Sequence, residues 1–471
     1  MRIKIVRAGR IEESFRSCLS NLGASYLRGA EDMPEVPNQE VPNQEEAVQE
    51  ILRRVEEKLR RKLRLGALTL DEIEEQSQDI GEEVKRIVEE ESLHSEGTGY
   101  SGPHAACSQG HVARYAGMRA RQFITLSGLR CLRRAYYHCP RCRRGWCPSD
   151  QVLGLSPGQC SRRVQALIAR FSSYLPYRTV AQELESVCGL RLATSTIEHY
   201  AHALGERLRQ QWEQLQQVRE AQDLPPSRLA CAPSRLHVTM DGVMAHVGGD
   251  WHEVKLGCVY QTDRNGRATQ AQYLATLSPS AVFGKRLRVL AHQAGSDRCR
   301  EVAVVADGAE WIWQETGKHF PRSVQVVDFY HATQHLWAFA QARFGEGAAA
   351  GSDWMGAQKE RLLADNITQV IAEVSAWPAS KASDQEVQRR LVGYLSKHQG
   401  RMRYQTFRGQ GYHIGSGVAE SGCKNVVQQR MKGAGMRWSQ AGAEAQLQLC
   451  AHWKSAGTKD FHAYTAPQSA S

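Results

Sequence analysis

Between Gly97 and Ser149 the chain contains no aspartate and no glutamate. The same stretch carries nine arginines, at positions 114, 119, 121, 130, 133, 134, 141, 143 and 144. A segment of one sign repels itself unless something neutralises it, and nucleic-acid phosphate is the usual counter-charge. Long apolar runs are also missing. No stretch approaches the ~20 residues of a membrane span. The opening residues, MRIKIVRAGRIEESF, lack the apolar core and small-residue cleavage site of a secretory signal. A disulfide framework is absent too. The thirteen cysteines are an odd number, mostly scattered, and the clustered ones have metal-like spacing, which fits a reducing compartment.

The 471 residues imply two or three domains, and an apolar fraction of 41% with 23% charged residues implies that most of the chain folds. Residues 1–45 are poorly patterned and include the tandem repeat EVPNQEVPNQ, read as a flexible segment. Over 46–100 apolar residues recur at helical spacing between dense opposite charges, which predicts a helical arm. Residues 101–155 are Cys- and Arg-rich. Residues 156–225 predict a helix-turn-helix, with one helix over 177–187, a turn at Gly189, and Thr194-Ser195 capping a second helix from Thr196. Thr194 and Ser195 are candidate DNA contacts. A Pro-containing linker follows. From Leu236 the pattern turns α/β. Apolar runs end at Asp241, Asp307 and Asp328, and everything from His331 to about Arg403 reads helical. The core is expected over 234–335 and 411–456, with a helical insertion at 336–410 and a flexible tail at 457–471.

Cys139 and Cys142 form a C-x-x-C pair, the spacing that lets two thiolates reach one tetrahedral Zn²⁺. Upstream, Cys107 with either His104 or His111 can complete the set around a small hairpin, giving a zinc ribbon. Zinc there would be structural and would hold the arginines for DNA, with Arg119, Arg121, Arg133, Arg134, Arg143 and Arg144 as phosphate contacts.

Asp241, Asp307, Asp328 and Glu420 stand where two-metal phosphoryl transfer would need them. That chemistry uses carboxylates from distant parts of the chain to hold two ions ~3.5–4 Å apart. Strand ends are where open α/β sheets collect ligands. The helix begun by Ser416 carries Glu420, then Lys424, Arg430, Lys432 and Arg437, with Trp438 just beyond. It therefore offers one carboxylate to metal and a basic tract to DNA. Trp438 can stack on a distorted base or serve as core.

The motifs TLSGLRCLRRAYYHCPRC, VTMDGV, VVADGAEWIW, VVDFYHATQHL and IGSGVAESGCKNVVQQRMKGAGMRWSQAGAEAQLQL carry a resemblance. From about Arg119 to Lys454 the chain resembles DDE transposases of the ISKra group of bacterial insertion sequences, relatives of the Mutator-like transposases. The resemblance implies an RNase H-like core whose first and fourth strands lie side by side, interrupted by a helical insertion. It implies Asp241, Asp307 and Glu420 as the catalytic residues, holding two Mg²⁺ (or Mn²⁺) ions. Asp328 and His331 match the C/D-x-x-H motif and become auxiliary. The implied reaction is nicking at the element's end, then attack of the freed 3′-hydroxyl on target DNA. The implied partners are double-stranded DNA and a second copy of the chain, in a bacterial cytoplasm. Two other readings are a decayed or domesticated transposase that only binds DNA, and an RNase H-like nuclease that cuts without joining.

Overall fold

The computed structural model describes residues 43–155, 158–220 and 234–455. Most of the tandem repeat, the linker at 221–233 and the tail expected at 457–471 lie outside the described residues; the repeat's last two residues, Asn43 and Gln44, already cap and open a helix inside the segment expected to be flexible. No helix among the described residues is long and apolar enough to cross a membrane.

The helical arm consists of helices Gln44–Lys62 and Leu70–Ser95, each opened by a capping box, Asn43 with Glu46 and Thr69 with Glu72. Arg54 pairs with Glu90 at 2.9 Å and Lys58 with Glu83 at 2.8 Å, tying the two helices together. The second helix buries Ile87 and delivers Glu89 to the sheet that follows.

That sheet is antiparallel, with β1 (His104–Ala106), β2 (Val112–Thr125), β3 (Gly128–Cys139) and β4 (Arg144–Trp146) in sequence order. Along β3, Arg130, Leu132 and Arg134 are buried on one face and Ala135, Tyr137 and Cys139 on the other, while Cys131 and Arg133 are exposed. Three arginines find counter-charge within the fold. Arg130 reaches Glu89 at 2.8 Å, and Arg121 and Arg134 both reach Asp150. The acids that flank the arginine-rich segment thus neutralise its inner face.

Helices Arg162–Ser172, Tyr177–Cys188 and Thr194–Glu220 follow. The first parts of all three close around Val164, Ile168, Val180, Leu184, Leu190 and Ile197. Gly189, left-handed at φ +65°, ends the second helix. The third begins at Thr194, two residues before the expected start, so Thr194 and Ser195 form its exposed first turn and do not cap it.

The second sheet is mixed and has five strands, β5 (Arg235–Val247), β6 (Asp250–Thr262), β7 (Ala268–Thr276), β8 (Glu301–Ala306) and β9 (Val324–Val327), in the order β7-β6-β5-β8-β9. β5, β8 and β9 run parallel, and β6 and β7 are antiparallel to their neighbours. Helices Ser280–Gln293 and Glu310–His319 cover it. β5 does not end at Asp241 as expected. Val243, Ala245 and Val247 keep the apolar alternation going to a Gly248-Gly249 turn, and β5 and β6 pair as far as Val247 and Asp250.

The helical insertion begins at Phe329, earlier than residue 336, with helices Phe329–Phe344, Ala349–Leu363, Ile367–Ser375, Ala382–His398 and Tyr404–Gly409. Phe339, Val370, Leu395 and Tyr404 join it to the sheet's core. The chain returns as one helical rod, Gly417–Gly422, a π turn at Cys423–Gln428, and Gln429–Met431. The last helix, Gln440–Lys454, crosses Thr194–Glu220 so closely that a Cβ on Gly205 would overlap the Ala445 carbonyl.

Candidate active site and metal cluster

The parallel ladders end on one row. Met240 pairs with Ala306, and Ala306 with Val327. The next residue on each strand is an aspartate: Asp241, Asp307 and Asp328. Neighbouring strands lie ~4.8 Å apart, so Asp307 stands beside both of the others.

Hydrogen bonding separates the three. Asp328 is the N-cap of helix Phe329–Phe344. Its Oδ1 accepts the N–H groups of Tyr330 at 2.6 Å and His331 at 3.1 Å. Its Oδ2 accepts the Ser416 N–H at 2.7 Å and the Ser416 hydroxyl. With four donors on two oxygens, this buried carboxylate is committed to holding the fold. Asp307 accepts one N–H, from Ala309 at 2.8 Å. Asp241 accepts the Gly242 N–H on Oδ1 at 2.7 Å and the Cys423 thiol on Oδ2 at 3.1 Å. Burial raises the Asp241 carboxyl above its ordinary value, and the negative charge of Asp307 adds to the rise against those two hydrogen bonds. Like charges on neighbouring strands disfavour ionising both carboxyls without a counter-charge.

Glu420 rises from the rod beside this pair and is exposed, with Lys424 Nζ at 2.7 Å. The thiol of Cys423 is pushed far up by burial and by the charges of Asp241, Asp307 and Glu420. On the opposite side, His331 and His335 bring their Nε2 atoms to 3.3 Å, so one must donate to the other. Burial and the neighbouring His331 hold His335 below the usual histidine range. The His335 ring rests on Tyr394, with centroids 4.2 Å apart. Cys423 and Tyr394 were not anticipated from the sequence, whereas His335 stands out there as the second histidine behind Asp328. The signal for Cys423 was its place three residues after Glu420, on the same helix face.

The rod also requires a correction. Arg430, expected to contact DNA, is 1% exposed. Its Nε donates to the Ser172 carbonyl at 2.7 Å, and its guanidinium lies 5.4 Å from the ring centroids of both Tyr177 and Trp438. Trp438 packs with Val427, Met431 and Ala443 and is core as well. Arg134 is likewise buried against Asp150, and Arg121 is ion-paired there. Arg119, Arg133, Arg143, Arg144, Lys424, Lys432 and Arg437 are exposed.

The first sheet carries the metal cluster. Ligand atoms of Cys107, His111, Cys139 and Cys142 all lie within 4.8 Å of one another, and the group can hold a metal ion. The sequence CSQGH turns at Gly110, φ +73°, where the Gly110 N–H meets the Cys107 carbonyl at 2.8 Å. That turn brings His111 Nδ1 to 3.1 Å from Cys142 Sγ, and Cys107 Sγ lies 3.8 Å from the same sulfur. Tetrahedral Zn–S bonds of ~2.3 Å put two sulfurs ~3.8 Å apart. Burial raises the Cys107 thiol, but the Gln109 and His111 N–H groups outweigh it, so it falls below the ordinary thiol value. Of the two expected alternatives, His111 is the one that joins the cluster. His104 lies exposed on β1, outside the cluster. Among the described residues the three carboxylates form no comparably tight group.

No protein-family model matches the chain, and no curated protein matches it.

Proposed function

We propose that the chain is a DDE-type DNA transposase with an RNase H-like catalytic core, acting on double-stranded DNA in the bacterial cytoplasm. One observation carries this reading. Asp241 and Asp307 follow the last pair of neighbouring parallel strands, the helix Gly417–Gly422 that carries Glu420 packs against β5 and β6, and Asp328 in the same row is consumed by capping. The strand order, the helical insertion and the late helix-borne glutamate support the RNase H-like assignment.

The donor set fits hard divalent ions. It is all oxygen, and Asp241 is half-buried with its carboxyl raised by that burial and by Asp307. Asp241, Asp307 and Glu420 would hold two Mg²⁺ or Mn²⁺ ions. Bound there, the ions supply positive charge to the reacting phosphate and acidify the attacking water or 3′-hydroxyl. The protein's own residues do the rest. Gly242 N–H and Cys423 hold Asp241. Lys424, paired with Glu420, would be released to a DNA phosphate by a Glu420 engaged with the ions. His331, set by its bond to His335, orients the hydroxyl that attacks. Asp328 keeps the helix carrying both histidines in place.

DNA is held by the exposed cations on either side of this end of the sheet. Arg119, Arg133, Arg143 and Arg144 lie on the first sheet, where the cluster holds structural zinc. Thr194 and Ser195 open a helix in a helix-turn-helix reading of that region, and Lys432 and Arg437 follow the rod. Two copies pair two element ends.

The test is Mg²⁺-dependent cleavage and strand transfer on duplexes made from the DNA that flanks the gene. Asp241→Ala, Asp307→Ala and Glu420→Ala each abolish both activities while DNA binding persists. Strand transfer surviving in any of the three overturns the assignment. Wild-type protein that binds but never cuts selects the DNA-binding reading instead.

A further inference from the structure

Cys423 touches the acidic pair through Asp241 without being a carboxylate itself. It lies on the rod three residues after Glu420, at the first position of the π turn. π turns of this kind concentrate at functional sites. Cys423 is 3% exposed and packs with Val243, Leu256 and Val426. A thiol in such a setting is usually a small apolar filler. Here it also donates, with Sγ 3.1 Å from Asp241 Oδ2. The other oxygen of Asp241 takes the Gly242 N–H at 2.7 Å. One donor on each oxygen leaves the carboxylate plane little freedom to turn.

We propose that Cys423 is a positioning residue for the metal site, its S–H fixing the Asp241 carboxylate in the orientation that receives a divalent cation. This rests on the reading of Asp241 as a metal ligand. The donor comes from the same rod as Glu420, so one helix both supplies a ligand and orients another on β5. Sliding the rod would disturb both together.

Packing and positioning predict opposite orders for two small substitutions. Ser at 423 keeps a donor but places a hydroxyl in an apolar cluster, whereas Ala removes the donor and keeps the surroundings apolar. If the thiol only fills space, Ala and Ser differ in melting temperature and bind metal alike. If it positions Asp241, Ser restores what Ala loses. The experiment is Mn²⁺ titration of the full-length, zinc-loaded protein, with free Mn²⁺ read by electron paramagnetic resonance and folding read by thermal melts. Cys423→Ser is expected to bind within about threefold of wild type, and Cys423→Ala about tenfold more weakly, the size of one hydrogen bond to a charged group. Cys423→Ala binding as tightly as wild type overturns the proposal, and so does Cys423→Ser binding as weakly as Cys423→Ala. Asp241→Ala is the control. If it binds Mn²⁺ like wild type, Asp241 is no ligand and the functional reading itself fails, taking this inference with it.

Discussion

Replacing Asp328 and Asp307 by alanine should give opposite results in two assays, and the hydrogen bonds say by how much. Losing the N-cap of Phe329–Phe344 costs about 1 kcal/mol. The Ser416 N–H and hydroxyl lose a charged acceptor as well, worth about 1.5–3 kcal/mol for each such bond. These terms overlap, so about 3 kcal/mol is a fair total for Asp328→Ala. Asp307 accepts only the Ala309 N–H. Its removal costs about 1 kcal/mol and relieves the repulsion with Asp241. In a domain of this size 1 kcal/mol shifts the melting temperature by about 2–4 °C. Metal-free Asp328→Ala should therefore melt about 6–12 °C below wild type, and Asp307→Ala within about 4 °C. Mn²⁺ should then stabilise Asp328→Ala but not Asp307→Ala, because only the latter has lost a ligand. Circular dichroism melts with and without Mn²⁺ read both. Equal melting shifts, or Mn²⁺ stabilising Asp307→Ala and not Asp328→Ala, would refute the division of roles.

Two further outcomes are expected. His111→Ala should lose the zinc that wild type retains through dialysis, measured by colorimetric release, while His104→Ala should keep one equivalent; the reverse pattern would move the ligand to β1. Burial, helped by the charges of His413 and Arg235, pulls His237 down to about 3. Its folded value lies below its unfolded one, so its contribution is intact above 6.5 and is lost as pH falls toward 3. His237→Phe should flatten denaturant-measured stability against pH between 6 and 4, by up to about 1.4 kcal/mol per unit, and an unchanged slope would show that this histidine is not the cause.

The strands around the site were readable because β-branched runs such as VAVV and VQVV end abruptly in aspartate. What could not be read was which aspartate stays free. That depends on Ser416, 88 positions from Asp328 and brought to it only by the return of the chain. Arg430 misled for the same reason. In sequence it continues a basic tract, and only Tyr177 and Ser172, far upstream, show that it is enclosed. The early end assigned to β5 was a local error. The alternation of Val243, Ala245 and Val247 before a Gly-Gly turn was legible and points to a longer hairpin. His111 over His104 was also within reach, because a glycine just before a histidine allows the tight turn that a ligand loop requires.

The bond between Asp328 and Ser416 has a neighbour, the Phe329 N–H to the Ile414 carbonyl at 2.8 Å. Together they fasten the two ends of the helical insertion at its base, and Gly415 lets the Tyr330 ring lie flat against the join. The clasp fixes where the insertion leaves the sheet and where it returns, so the spacing between Asp328 and the start of the rod that bears Glu420 is set at the base of the insertion.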